Sequence, residues 1–328
     1  MKRYCGHVVV VSMLVAAIAS RTAVAQDASD YPAKPVRIVV AQATGGGTDI
    51  QARLFSAKLS DSLRRAFFVD NRTGAGNTIG FDYVAKAAPD GYTLLAVTPS
   101  FTFSPALYKK LSYDPIRDFA PISIVTRAPY ILVVHPSMQV KSVKELVSLA
   151  RSRPGQLNSG VGGNGSFTHL AMVWLADLAK IKLTYIPYKG TGPVLTDLIA
   201  GQLDMTIGNV LSTLPHIRTG RMRALASSMS TRSAVLPNLP TIAEAGLAGY
   251  DLNTWHGWAA PAGTPQAIID RMHQELARMV RSPQVAEQLA QDGGEPVGST
   301  PEEFRQLLLA EVTRWRKLIA SSSITIDQ

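Results

Sequence analysis

Val36-Arg37-Ile38-Val39-Val40-Ala41-Gln42-Ala43-Thr44-Gly45-Gly46-Gly47-Thr48-Asp49-Ile50-Gln51 decides how this chain is read. The run Val36 to Val40 is rich in β-branched side chains and predicts a strand. The glycines form a loop, and a helical pattern starts at Ile50, with Thr48 and Gln51 spaced as a capping box. A strand, a glycine loop and a helix start aim several backbone N–H groups and the positive end of the helix at one spot. Glycine lets backbone approach a ligand with no Cβ in the way. Such a spot suits a carboxylate or a phosphate. A tight turn with Thr48 merely capping fits the same residues, and the loop alone leaves both readings open.

A second glycine loop, Gly160-Val161-Gly162-Gly163-Asn164-Gly165-Ser166, follows a strand-like stretch from Leu157 to Val161. A helical pattern from about His169 to Ala179 comes after it. Its G-x-G-x-x-G spacing suggests a dinucleotide site, which needs an acid about 20 residues on at a strand end. Leu183 to Lys189 holds no acid and Asp177 lies inside the helical pattern, so that reading fails.

Working outward, β-branched runs alternate with helical patterns. Thr93 to Val97, Ile122 to Val125, Tyr130 to Val134, Leu183 to Ile186, Leu203 to Ile207 and Met222 to Ala226 read as further strands. Ser142 with Glu145, Thr241 with Glu244 and Thr300 with Glu303 are capping boxes, and Thr264-Pro265 and Thr300-Pro301 place a capping residue before proline. The last helix carries Phe304, Leu307, Leu308, Val312, Trp315 and Ile319 on one face. The alternation predicts an α/β protein with largely parallel sheets. The segment 127–229 reads as an α/β unit of its own.

Composition bounds the function. With 328 residues the chain has room for two ordinary domains. At 46% hydrophobic and 17% charged it is not a disordered chain. Its single Cys excludes a disulfide scaffold and a multi-Cys metal site. The excess of 33 basic over 24 acidic residues is scattered in short groups such as Lys109-Lys110, which gives no nucleic-acid stripe. At the start, Lys2 and Arg3 precede an apolar run, Val8 to Ala19, and Ala23-Val24-Ala25 is a small-x-small site. This is the layout of a secretory signal peptide cleaved after Ala25. Cys5 lies before the apolar run and offers no lipoprotein anchor.

Catalytic patterns are thin. There is no G-x-S-x-G, and His135, His169, His216, His256 and His273 show no paired metal spacing. Ser166 and His169 are a nucleophile–base pair or a capping serine with a nearby ring. Asp49 orients a ligand group or fixes its own loop. Trp255 and Trp258 belong to the core or to a cleft wall.

Ordered blocks across the chain resemble one family. They include Tyr31-Pro32-Ala33-Lys34-Pro35, Gly45-Gly46-Gly47-Thr48-Asp49 with Ala52-Arg53, Val69-Asp70-Asn71-Arg72 and Gly74-Ala75-Gly76. Pro89-Asp90-Gly91-Tyr92-Thr93, Tyr113-Asp114-Pro115, Gly165-Ser166 with His169, and Pro187-Tyr188-Lys189-Gly190 continue the series, which closes with Ala260-Pro261-Ala262-Gly263-Thr264-Pro265. The chain resembles the Bug (TctC) family of periplasmic receptors for tripartite tricarboxylate transporters. The resemblance implies a two-lobed periplasmic binding-protein fold, type II-like, with the ligand in a cleft between α/β lobes. It implies a signal peptide over 1–25, a first lobe from 26–126 and 230–328, and a second lobe over 127–229. The implied function is capture of a small carboxylate-bearing solute for the membrane components of the transporter, by a monomer with no cofactor, no metal and no catalysis. The expected ligand-binding residues are Gln42, Thr44, Gly46, Gly47, Thr48, Asp49, Ser100, Asn164, Ser166, Thr168 and Asn209. A receptor feeding a membrane sensor, and a secreted α/β hydrolase, are the alternatives. The chain departs from the family where Ala41, Gln42 and Thr44 replace the usual Pro, aromatic and Pro, and where Thr73 and Asn77 stand for Pro and Gly.

Overall fold

Strand β1 (Val36–Val40) takes the span expected of it and is fully paired on both sides, to β2 (Phe67–Asn71) and β3 (Thr93–Val97), both parallel. The computed structural model describes residues 30–108, 110–252 and 254–321. The expected signal peptide and its cleavage point lie outside the described residues. The chain divides into Met1–Tyr31 and Pro32–Gln328, and the account below concerns the second unit.

Two sheets organise it. The first adds β4 (Phe119–Arg127), β10 (Trp255–Pro261) and the short β11 (Glu295–Pro296), in the order β11-β4-β10-β3-β1-β2. The second holds β5 (Tyr130–Val134), β6 (Asn158–Val161), β7 (Thr184–Pro187), β8 (Met205–Asn209) and β9 (Arg223–Ser227), in the order β7-β6-β8-β5-β9. The expectation of largely parallel sheets is corrected. β10 runs antiparallel to both β3 and β4, and β5 runs antiparallel to both β8 and β9. These are the strands by which the chain passes into one sheet and back into the other, so crossover helices cannot set their direction.

Helices follow the strands: α1 (Gly47–Leu63), α2 (Thr78–Ala85), α3 (Ser100–Leu107), α4 (Val143–Ser152), α5 (Phe167–Ala179), α6 (Thr191–Ile199), α7 (Val210–Arg218), α8 (Gln266–Arg281), α9 (Pro283–Gln291) and α10 (Pro301–Ser321). α1 begins at Gly47, three residues before the pattern suggested. Its N-cap is Gly46 and no side chain caps it, so the Thr48–Gln51 box does not form. Thr48 is already inside the helix, where its hydroxyl no longer faces the free N–H groups. Thr264 is a second correction: its Oγ1 donates to Pro261 O (2.8 Å) and Pro265 takes the cap position. The boxes at Thr241–Glu244 and Thr300–Glu303 form reciprocally, the first on a turn and the second on α10.

Each sheet has its own core. Val39, Phe81, Leu95, Phe101, Trp255 and Phe304 cluster on the first. Leu132, Leu146, Phe167, Leu175, Ile207 and Leu225 cluster on the second. Trp258 is also fully buried, so both tryptophans of β10 are core residues.

Candidate functional site

The β1–α1 loop is built to stay put. Asp49 Oδ2 accepts from Gly45 N–H and from Arg53 Nε, each at 3.0 Å, and Oδ1 accepts from Asn71 Nδ2 at 3.0 Å. Asn71 Nδ2 also donates to Gln42 O (2.8 Å), and Arg53 donates to Asn71 Oδ1 (3.0 Å). Burial alone would raise the Asp49 pKa. The hydrogen bonds from Arg53, Asn71 and Gly45 outweigh it and hold the carboxylate below its ordinary range. Asp49 thus fixes its own loop, with both oxygens occupied inside the first half of the molecule. Among the described residues, no side chain caps the free N–H groups of the first turn of α1.

The β6–α5 loop differs. Ser166 caps α5, its Oγ accepting from His169 N–H (3.2 Å) and lying 3.1 Å from Thr168 Oγ1. Thr168 Oγ1 accepts from Gly162 N–H (2.8 Å), and Gly165 N–H donates to His169 Nδ1 (3.2 Å). Ser166 meets the backbone of His169, and the ring nitrogen Nδ1 meets the backbone of Gly165. A nucleophile–base pair is not what these two residues make. Asn209 caps α7 through Oδ1, which accepts from Leu211 N–H (3.0 Å). Its Nδ2, and Thr48 Oγ1, are buried without a partner among the described residues.

The loops of the two sheets meet. Ala43 N–H donates to Lys189 O (3.1 Å), and Tyr108 OH donates to Asn164 O (3.0 Å). A methyl group built on Gly47 would lie 2.6 Å from Asn209 Cγ, and one on Gly46 would lie 2.5 Å from Thr191 Oγ1. Only glycine permits that approach. Between the same halves lies a cavity of about 540 Å³, lined by Gly76, Asn77 and Tyr108 from one side and Gly163, Asn164 and Lys189 from the other.

Of the expected site residues, Gly46 lies against Thr191 and Gly47 against Asn209, and Thr48 follows them, buried, in the first turn of α1. Gln42 is buried nearby, its Oε1 3.6 Å from a methyl position on Gly46. Ser166 and Thr168 build the opposite loop. Ser100 Oγ is buried, bonded to Thr98 Oγ1 (2.9 Å) and to Asn77 Nδ2 (3.0 Å), and Asn77 carries it to the cavity wall. Thr44 and Asn164 are exposed. Asn164 lines the central cavity, whereas Thr44 lines a different one, of about 670 Å³, with Gly192 and His216. Residue-by-residue reasoning missed Thr191, Tyr108 and Asn77. Gly190-Thr191-Gly192 repeats the strand, glycine, helix order of the first loop and was the signal available for Thr191.

Residues 51–324 match the family model described as tripartite tricarboxylate transporter family receptor. Three solved structures resemble the chain closely. One is described as periplasmic binding protein BugD, with 32% identity, covering 90% of this chain and 99% of that one, TM-score 0.87. Another is Rpa4515 of R. palustris with adipate, with 37% identity, covering 90% and 99%, TM-score 0.87. The third is MatC from Rhodopseudomonas palustris with bound malate, with 33% identity, covering 88% and 100%, TM-score 0.84. The two-sheet α/β arrangement is accordingly that of the two-lobed periplasmic binding proteins. With most of its length matched by one family model, and with glycine loops meeting across its halves, this chain belongs to the Bug (TctC) family of periplasmic solute-binding receptors.

Proposed function

We propose that the protein captures a small carboxylate-bearing solute between its lobes and delivers it to the membrane components of a tripartite tricarboxylate-type transporter. The observation that carries this reading is the pair of buried, unpartnered donors, Thr48 Oγ1 and Asn209 Nδ2, where the starts of α1 and α7 face each other. Both helix starts supply positive potential, and the uncapped start of α1 adds free N–H groups. The nearest acid, Asp49, is occupied by its own loop. Donors without acceptors call for a ligand rich in acceptors, and an ionised carboxylate is acceptor-only. The adipate of Rpa4515 and the malate of MatC, each in its own protein, support the same class.

The binding set is Gln42, Gly46, Gly47, Thr48 and Asn209, backed by the loops fixed through Asp49, Ser166 and Thr168, with Ser100 behind Asn77. Thr44 and Asn164 act at the rim. Ser166 supports binding rather than catalysis, because its hydroxyl is a cap. The lobes run 26–126 with 230–328, and 127–229. Ile242, Tyr250 and Leu252 share the second core, which favours moving the return point to about residue 252. The protein acts as a periplasmic monomer after cleavage following Ala25.

Closure follows from the geometry. A solute touching both lobes gains its full set of contacts only when they are together, so it shifts the population toward the closed form. Native mass spectrometry of freshly purified protein, followed by calorimetry with the acid it retains, tests the reading. A retained carboxylic acid that binds stoichiometrically is the expected result. A solute with no acid group, or turnover of the solute, would overturn it.

A further inference from the structure

Gln51 is a buried polar group that neither the fold nor the proposed site uses. It is 1% exposed, and neither Oε1 nor Nε2 has a hydrogen-bond partner among the described residues. An amide shut away from water without partners is costly, and native proteins hold few of them. Gln51 follows Gly47 by four residues and Thr48 by three, so all three share one face of α1. That face meets the second sheet's loops, since Gly47 abuts Asn209, and α1 packs on α7, which Asn209 caps. Long side chains on a helix lean toward its N-terminus, the side of Gln51 on which Gly47 and Thr48 lie. Thr48 lies in the first turn of α1 and Asn209 lies against Gly47; they are 2% and 1% exposed, and each carries an unpartnered polar atom among the described residues. The sequence offered Gln51 as the partner of Thr48 in a capping box. That bond is not made, which leaves the amide uncommitted.

We propose that Gln51 is a specificity-determining residue that favours a solute with a hydroxyl on the carbon beside its carboxylate, a 2-hydroxy acid. This rests on the carboxylate reading above. The Thr48 hydroxyl, Asn209 Nδ2 and Gln51 Nε2 are donors, and a carboxylate accepts from all of them. Gln51 Oε1 is an acceptor, and an ionised carboxylate has no proton to give it. A neighbouring hydroxyl does. A plain acid leaves that oxygen unpaired in a site sealed from water. The argument holds whichever way the amide is turned, because both of its ends are unpaired.

The test is calorimetry on the full mature protein with matched acids: lactate against propionate, malate against succinate, mandelate against phenylacetate, and 2-hydroxyadipate against adipate. In the wild type, the hydroxy member of any pair that binds should be tighter by about 5- to 150-fold. Gln51→Met keeps length and removes both polar ends. It should bring that ratio close to one, mainly by weakening the hydroxy acid, with melting unchanged or raised. Gln51→Leu serves as a second apolar variant. Gln51→Glu should weaken both members, since it sets a negative charge toward the carboxylate. Acids that bind the wild type with no hydroxyl preference overturn this inference alone, as does a preference that survives in Gln51→Met and Gln51→Leu. A wild type that binds no acid of the panel overturns the carboxylate reading and this inference with it.

Discussion

The two glycine loops look alike in sequence and are opposites in structure. The β6–α5 loop is closed on itself: Ser166 caps its helix, Thr168 takes the Gly162 N–H, and His169 takes the Gly165 N–H. The β1–α1 loop is tied down through Asp49 in the first turn of α1, held by Arg53 one turn on and by Asn71 of β2, and the start of α1 is left uncapped. A capped helix start has spent its donors on the protein. An uncapped one keeps them for something else. The comparison teaches that glycine content marks where backbone comes close, while capping sets how many helix-start donors are left free.

The largest expected effect tests the open side. Asn209→Asp keeps the Oδ1 that caps α7 and replaces a donor with a negative oxygen. Like-charge juxtaposition of this kind costs several kcal/mol, so acid binding should fall by about 100-fold or more in calorimetry, with melting little changed. Unaltered affinity would mean that the open helix start is not where the solute sits.

Acid separates folding from binding. Burial pushes His256 down to about 4, because charging it in the core is unfavourable. The folded state therefore holds the neutral ring while the unfolded state, with a pKa of about 6.5, takes up a proton first. Stability is retained above about pH 6.5 and falls as pH drops toward 4, by roughly 3 kcal/mol at most. Asp49, held below the ordinary carboxylate range, stays ionised through that window, so the first loop remains fastened. Denaturant titrations should show the loss in the wild type and a flatter profile in His256→Gln. A flat wild-type profile would contradict the assignment.

Gly47→Val comes next. Its side chain would collide with Asn209, whose Cγ, Cβ and Oδ1 all lie within 2.7 Å of the added carbon. Overpacking of this kind costs about 1–3 kcal/mol, roughly a 5- to 150-fold loss of affinity if it holds the lobes apart. Small-angle scattering with saturating acid should show incomplete closure.

Ser166→Ala is the smallest and sharpens the contrast most. Loss of the cap should cost about 1 kcal/mol of stability, while affinity changes less than about tenfold. A large affinity loss with an unchanged melting curve would make the two loops equals after all.

Several of these features were legible beforehand. Val36–Val40, Thr93–Val97 and Tyr130–Val134 have the spans their β-branched runs suggested. Trp255–Pro261 was not read as a strand. With His, Gly and Pro it carries little β signal, and it is made a strand by pairing on both sides with β3 and β4. Phe67–Asn71 ends in turn-forming residues and sits at the sheet edge, paired among the described residues to β1 alone. The Thr48–Gln51 spacing was real, but a capping box needs the helix to begin after Thr, and this one begins at Gly47. Asn77 reads in sequence as a departure from glycine. In the fold it stands at φ 85, a left-handed conformation that Asn tolerates better than most residues, and its amide bonds Ser100. No periodicity reports such a backbone angle.

Tyr108 sets a clock. Its hydroxyl bonds Asn164 across the cleft and fills the space beside both Gly76 and Gly165, so that a methyl group on either would come within 2.2 Å of it. A bond that exists only when the halves are together adds to the barrier for letting go more than to the chance of first encounter. Under the proposed reading, residence time is then partly decoupled from recognition: the donors at Thr48 and Asn209 choose what enters, and the Tyr108 hydroxyl, together with the Ala43–Lys189 bond, sets how long it stays. A receptor that must surrender its cargo needs such contacts to be breakable, and among the described residues Tyr108 on Asn164 O and Ala43 N–H on Lys189 O are two of them.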